Sequence, residues 1–583
     1  MPNEWDLSIL YSGFDDPALK SDLNELDSLI ADAKKLAADA ETFPHRDLIR
    51  AYLALSEKLS LLSSKLYEFA SLRFSTNTGD SEAASLTGLL MSKLSDTAAS
   101  DAKLHGLIAG FPDLDELIDT EFSEFAYLLR SIRRDSRYLL DDAREELFAR
   151  MNISGASAWE DLQSSLTSSV KAKYRGEDIP LSAVRNLAYD PDPAVRKDAF
   201  EAELACYAPI REAVAFSLNS IKLQTITECG IRGYDSPLDK ALKNSRMKRE
   251  TLDALISAME EYLPKFWKYL RAKAKALGHE DGLPWYDLFA PMGKSDRTFT
   301  IDEAKETLIS FFTPFDADLA AMIRRAFEEN WIDFWPREGK VGGAFDAGIP
   351  TACQSRVLTN FSGSFSDVIT LAHELGHAFH DQQVFSHSIL NQDYTMPVAE
   401  TASTFNEVIA NNAARAMAET KEEKINLLES ELMDACQIIC DIYSRYLFET
   451  SVFEHRPEEF MNADRLCELM LDAQKKAYGD GLDPDCLHPY MWLCKGHYYS
   501  GGLSFYNFPY AFGGLFARGL YAKYKAEGQA FVPLYKKLLH ATSVNDVEDA
   551  ALIAGIDLTD KAFWEAGLAS IAEEIDELCA LLA

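Results

Sequence analysis

The stretch LAHELGHAFH, Leu371 to His380, constrains its surroundings more than any other part of the chain, because as a helix it must bury one side and keep the other polar. Ser364 and Asp367 supply a capping start, and Val368, Leu371, Ala372, Leu375, Ala378 and Phe379 follow at helical spacing. At about 100° per residue these six fall on one stripe. His373, His377 and His380 lie roughly opposite, within an arc of about 60°, and Glu374 lies about 60° from His377 on the same polar side. One face packs and the other can bind.

Two imidazoles at i and i+4 converge on one ion, and the glutamate after the first can reach a water on that ion. Zinc lowers the pKa of bound water to about 7, and a neighbouring carboxylate can take the proton while the oxygen attacks a carbonyl. His373 and His377 are therefore candidate zinc ligands and Glu374 a candidate general base. His380 is two turns from His373, too far for both rings to meet one ion comfortably, and is expected to hydrogen-bond nearby. A third ligand must come from another segment. MPVAETASTFNEVIANNAARAMAE begins a helix near Pro397 and puts Glu400 and Glu407, seven apart, on one face with Ser403 between them. Glu400 is expected to complete a His, His, Glu set that leaves the fourth position open. Glu407 is expected to orient a liganded imidazole through its other nitrogen. The competing reading is a pair of glutamates on a solvated face.

A chain of 583 residues exceeds the size at which a single core keeps growing, so two or more lobes are expected. From Leu19 to about Arg196 apolar residues recur at threes and fours with few Pro or Gly, which reads as amphipathic helices broken at ETFPHRD, STNTGD and AGFPDLD. YDPDPAVRKDAF, from Tyr189, is the expected seam between an N-terminal helical lobe, residues 1–190, and a catalytic region, residues 191–583. Helices continue to about Ala326. GKVGGAFDAG and SRVLTNF then carry Gly, Val, Thr and Phe at the spacing of a small β-hairpin, and helices dominate again from Ser366 onward.

The net charge of −35 repels polyanions, which argues against nucleic acid and anionic membrane as partners. The longest apolar runs fall far short of the roughly 18 to 20 residues that cross a bilayer. MPNEWDLSIL lacks the basic start and apolar segment of a secretory signal, so a cytoplasmic location is expected. The nine cysteines, scattered from Cys206 to Cys579, read as reduced thiols, with Cys436 and Cys440 as buried structural residues.

LAHELGHAFH followed by VAETASTFNE resembles the zinc oligopeptidase family that contains thimet oligopeptidase and oligoendopeptidase F, the second branch in particular. GKVGGAFDAG and LTNFSGSFSDVITLAHELGH upstream, KGHYYSGGLSFYNFPYAFGGLFARGLY downstream and the opening WDLSILYSGF extend the similarity over most of the chain. The resemblance implies a mainly α, two-lobed zincin-type molecule with a deep central channel and a small β-sheet next to the zinc site. It implies endopeptidase action on short oligopeptides, one Zn2+ per chain on His373, His377 and Glu400, and Glu374 as general base and proton shuttle. It also implies that His497, Tyr510 and Tyr506 donate hydrogen bonds to the oxyanion of the tetrahedral intermediate. Without the resemblance that aromatic cluster reads as core packing. Gly342, Gly343 and Ala344 of VGGAF are candidate substrate-binding residues, since glycines let a peptide backbone approach an exposed strand edge. The alternatives are a zinc carboxypeptidase of similar helical fold and a non-catalytic peptide-binding protein; Glu374, which catalysis needs and metal binding does not, argues against the second.

Overall fold

The computed structural model describes residues 4–293 and 297–583 and is mainly α-helical, with one two-stranded and one three-stranded sheet. The helices start where the sequence supplies an acceptor for their free N–H groups. Asp16 receives Ala18 N–H ahead of Pro17, Asp80 receives Glu82 and Ala83 N–H, and Asp192 receives Ala194 N–H ahead of Pro193. The expected breaks at ETFPHRD, STNTGD and AGFPDLD all separate helices. Among the described residues no helix is long and apolar enough to cross a membrane. All nine cysteines are free thiols, Cys436 and Cys440 buried, although the helix carrying them loosens into a π turn at Gln437–Asp441 that periodicity does not announce.

Part of the chain expected to be helical is not. Lys171–Tyr174 (β1) and Glu177–Pro180 (β2) pair as an antiparallel hairpin around Arg175 and Gly176, both left-handed at φ 47° and 93°. A two-residue turn with both φ positive matches the twist of its strands. Arg-Gly is a weaker signal for it than Asn-Gly, and the charged strand residues hide the alternation.

The second hairpin forms where expected but starts later. Ile332–Asp333 (β3), Phe345–Ile349 (β4) and Gln354–Leu358 (β5) make a sheet of order β3-β5-β4, with β4 antiparallel and β3 parallel to β5. Gly342, Gly343 and Ala344 fall in the loop ahead of β4, where Gly343 takes φ 79°. The sheet is clamped on both faces. Val357 packs into the large core that runs from Ala156 to Leu578, while Leu358 and Ile349 pack with Trp5, Phe69 and other N-terminal residues. A third buried cluster lies within Leu36–Ile132.

Behind the sheet runs α1 (Phe365–Val384), opened by the expected reciprocal cap between Ser364 and Asp367. Val368, Leu371, Ala372, Leu375, Ala378 and Phe379 are all buried, as the stripe requires. The chain then forms α2 (Met396–Ala399) and α3 (Thr401–Met417), which crosses α1 at Gly376. A Cβ on Gly376 would stand 2.5 Å from Ser403 Cα and 2.6 Å from the Ala402 carbonyl oxygen. Those are backbone atoms, so no rotamer change can relieve the clash. Asn406 Nδ2 donates to the Ala372 carbonyl at 3.0 Å and ties the same two helices together.

Gly376→Ala gains about 1 kcal/mol of helix propensity, but forcing α1 and α3 apart outweighs it, and a net loss of about 2 kcal/mol is expected. The measurement is a denaturation midpoint together with zinc titration of the same variant. A midpoint and zinc affinity equal to wild type would show that the helices tolerate separation.

Candidate active site

His373 and His377 sit one turn apart on α1 with their Nε2 atoms 3.2 Å from each other. Glu400 occupies the junction of α2 and α3, where the backbone leaves helical geometry for one residue. Its Oε2 lies 3.3 Å from His373 Nε2 and 3.4 Å from His377 Nε2. The three atoms make a nearly equilateral triangle. A tetrahedral zinc with ligands at about 2.0–2.1 Å needs donor-to-donor edges of about 3.3–3.4 Å, so this donor set fits that ion in both chemistry and size.

The supporting contacts fix the orientation of each donor. His373 Nδ1 donates to Glu407 Oε1 at 2.5 Å, which turns Nε2 toward the triangle and makes it the nitrogen that can bind an ion once deprotonated. Ser403 Oγ donates to Glu400 Oε2 at 2.9 Å. Phe508–Glu527 (α5) backs Glu400 closely, since a Cβ on Gly513 would stand 3.1 Å from Glu400 Cβ.

Burial opposes a charged His373, but Glu407, Glu374 and Glu400 outweigh it and hold the imidazole up at about 9. Burial likewise opposes an ionised Glu400, yet His377 and His373 pull its carboxyl down to about 2. The pocket thus retains positive charge against the penalty of burial, as a cation site should. Glu374 is only 6% exposed; burial raises its pKa, His373 and His377 oppose the rise, and Glu400 and Glu407 add to it. Its carboxylate shares a 4.8 Å span with the two imidazoles. Among the described residues, however, it makes no ion pair with either ring, so Glu400 is the acid that closes the triangle and Glu374 stands beside it.

His497, Tyr506 and Tyr510 come together as a ring cluster, with centroids 5.0 Å apart for His497 and Tyr506, 5.5 Å for the two tyrosines and 6.1 Å for His497 and Tyr510. Tyr506 Oη donates to the sulfur of Met396 at 3.5 Å, at the start of the segment that carries Glu400. Burial, Arg445 and Lys495 lower the pKa of His497, so the ring is neutral at neutral pH and donates one N–H. Burial and Tyr506 raise the Tyr510 pKa, which keeps its hydroxyl proton in place.

What holds this cluster was not visible in the sequence. Phe505 is left-handed at φ 55°, a strained conformation for an aromatic residue. Glu449 stabilises it by accepting Phe505 N–H at 3.1 Å and Asn507 Nδ2 at 2.8 Å, while forming a buried ion pair with Lys222 at 2.7 Å. Asn507 also caps α5. Lys222 and Glu449 are far apart in sequence and look like ordinary surface charges there. A buried acid pair one turn beyond His377 on α1 has no signature in the sequence: Asp381 accepts from Tyr394 Oη at 2.9 Å and faces Asp346 of β4, and burial raises both carboxyls, Asp381 to about 6.

His380 turns away from the triangle. It is fully buried, stacks on Tyr394 at 4.1 Å and bonds Thr542 Oγ1 through Nε2 at 2.8 Å, and burial pushes its pKa down to about 3. A cavity of about 520 Å³ opens beside His373 and Glu374. Ala344 lies on its wall, whereas Gly342 and Gly343 are exposed in the preceding loop, whose carbonyls at Val341 and Gly343 accept from Asn360.

Comparison with known proteins identifies the family of the chain. Residues 111–171 match the family model described as Oligopeptidase F, and residues 186–570 match the one described as Peptidase family M3. The chain is 24% identical over 557 residues to oligopeptidase PepF of Bacillus subtilis, covering 91% of this chain and 80% of the relative. It is 24% identical over 612 residues to group B oligopeptidase PepB of Streptococcus agalactiae, covering 100% and 97%. Among solved structures, a chain described as a peptidase from Chlamydophila abortus superimposes with a TM-score of 0.85 at 20% identity, over 99% of this chain and 98% of that one. Oligoendopeptidase-F from Enterococcus faecium superimposes with a TM-score of 0.71 at 19% identity, over 96% and 98%. With more than half of its length matched by the family model, and with the helical architecture of these relatives, the chain belongs to peptidase family M3 and is a metallo-oligopeptidase.

Proposed function

We propose that the chain is a zinc-dependent endopeptidase that hydrolyses internal bonds of short oligopeptides in the cytoplasm. The observation that carries the reading is the triangle of His373, His377 and Glu400 with Glu374 beside it and a cavity leading to both. His373, His377 and Glu400 would hold a zinc ion, which when bound would supply Lewis acidity at the scissile bond.

The remaining chemistry belongs to the chain. Glu374, beside the donor triangle and with its pKa raised by burial, is placed to take a proton from the attacking water and to deliver it to the leaving amine nitrogen. Glu407 keeps His373 in the tautomer whose Nε2 can bind, and Ser403 holds the Glu400 carboxylate in place. The neutral His497 and the protonated Tyr510, with Tyr506, are donors for the oxyanion; Glu449 holds their loop in a strained conformation before substrate arrives. Ala344 is the residue ahead of β4 best placed to meet a substrate backbone.

Peptides blocked at both termini should be cleaved internally by the zinc-loaded protein and spared once a chelator is added, as read by mass spectrometry. Cleavage confined to free C-termini would instead identify a carboxypeptidase. Glu374→Gln should lower kcat by about 10³-fold while zinc content stays at one per chain; near-normal turnover in that variant would remove Glu374 from the mechanism.

Zinc uptake gives an independent check. His373 must release a proton held near 9 before its Nε2 can bind, whereas Glu400, held near 2, is already ionised. Apparent zinc affinity should therefore rise about tenfold per pH unit between about pH 6 and 8 and level off above about 9. Competition against a chelator of known protonation behaviour measures this, and a flat profile would contradict the charge arrangement.

A further inference from the structure

The 520 Å³ cavity has a wall that the proposed chemistry leaves unused. It is formed by Lys421–Cys436 (α4), which turns Asn426, Ser430 and Asp434 toward the cavity at one-turn intervals, opposite Ile369 of α1 and beside Glu407 and Asn411 of α3.

The charges on this wall do not balance. Glu431 is buried against Arg518 at 2.8 Å, and Arg518 and Arg415 both reach Glu574, so that group is internally neutral. Glu407 is engaged by His373. Arg297, the cation on the opposite rim, lies over the Phe299 ring at 4.8 Å. Asp434 makes no hydrogen bond or ion pair through its carboxylate among the described residues. Asp434 is exposed to the cavity; the walls around it first, and Glu407 and Glu431 after them, push its carboxyl up to about 7. Next to Asp434 lies a recess of about 40 Å³ between α3 and α4, sharing Glu407, Asn411, Glu431 and Asp434 with the main cavity.

A long side chain with a cationic tip fits this layout. Its aliphatic stem can lie along Ile369 and Leu427, its N–H groups meet the oxygens of Ser430 and Asn411, and its charge meets Asp434. A neutral tip forgoes the attraction of Asp434, and an acidic one is repelled by it. We propose that this cavity is the pocket for a lysine or arginine side chain of the substrate flanking the scissile bond, and that Asp434 is the residue that reads its charge. The proposal rests on the peptidase reading above and adds a substrate class to it.

The test uses the full chain loaded with zinc and end-blocked peptides of one length, in which each residue flanking the cleaved bond is in turn Arg, citrulline, Leu or Glu. Citrulline keeps the size of arginine and removes the charge. At one flanking position kcat/KM for Arg should exceed that for citrulline by about tenfold. Asp434→Asn should bring that ratio close to one, and Asp434→Lys should shift preference at the same position toward Glu. Ratios are read within each variant, so partial loss of folded protein does not distort them. An Arg-to-citrulline ratio near one at every position in the wild type, or a ratio retained in Asp434→Asn, overturns the charge-reading role. Failure to cleave any of the peptides overturns the peptidase reading beneath it.

Discussion

The close approach of α1 and α3 at Gly376 is the constraint on which the site depends. Backbone meets backbone there, with room for a hydrogen on Gly376 and nothing larger. That distance lets Glu400, from the start of one helix, meet two imidazoles from the middle of the other. A side chain at position 376 would move α3 outward by roughly the thickness of a methyl group, and a donor triangle tuned to about 3.3 Å tolerates little of that. The glycine inside HELGH therefore has a packing reason independent of catalysis.

How far the sequence leads can be judged at particular residues. α1 was readable because its apolar stripe, its cap and its histidines all report one periodicity, and local agreement of that kind survives tertiary packing. Glu400 and Glu407 were readable because a seven-residue spacing keeps one helical face, even though the helix breaks at Glu400 itself. The break has no signature beyond Pro397. The β1–β2 hairpin was hidden by charged strands and an Arg-Gly turn, and the Gln437–Asp441 π turn by uninterrupted helical composition.

The elements around Tyr506 mark a different limit. Resemblance pointed to His497, Tyr506 and Tyr510, but the device that holds them is a buried charge on Glu449, paired with Lys222. Sequence offers no means of distinguishing a lysine that will be buried from one that will be solvated, since the difference arises only when distant helices pack. The same holds for Asp434. On α4 it occupies one of several acidic positions, and its lack of a partner follows from Arg518 and Arg415 being committed to Glu431 and Glu574.

These charges also connect binding of the ion to binding of the substrate. Glu374, Glu400 and Glu407 surround the His373 imidazole and hold it up at about 9, while Asp434, exposed to the neighbouring cavity, rises to about 7. His373, His377 and Glu400 would hold a divalent cation, which when bound would answer the part of that negative charge nearest the rings. It does not answer Asp434, whose nearest charges are Glu407 and Glu431. One acidic region therefore presents two separate demands for positive charge, one that a bound metal would meet and the other that the proposed cationic side chain of a peptide would meet. A chain with a net charge of −35 places that second demand at the end of a long-range field that already draws cationic peptides toward it.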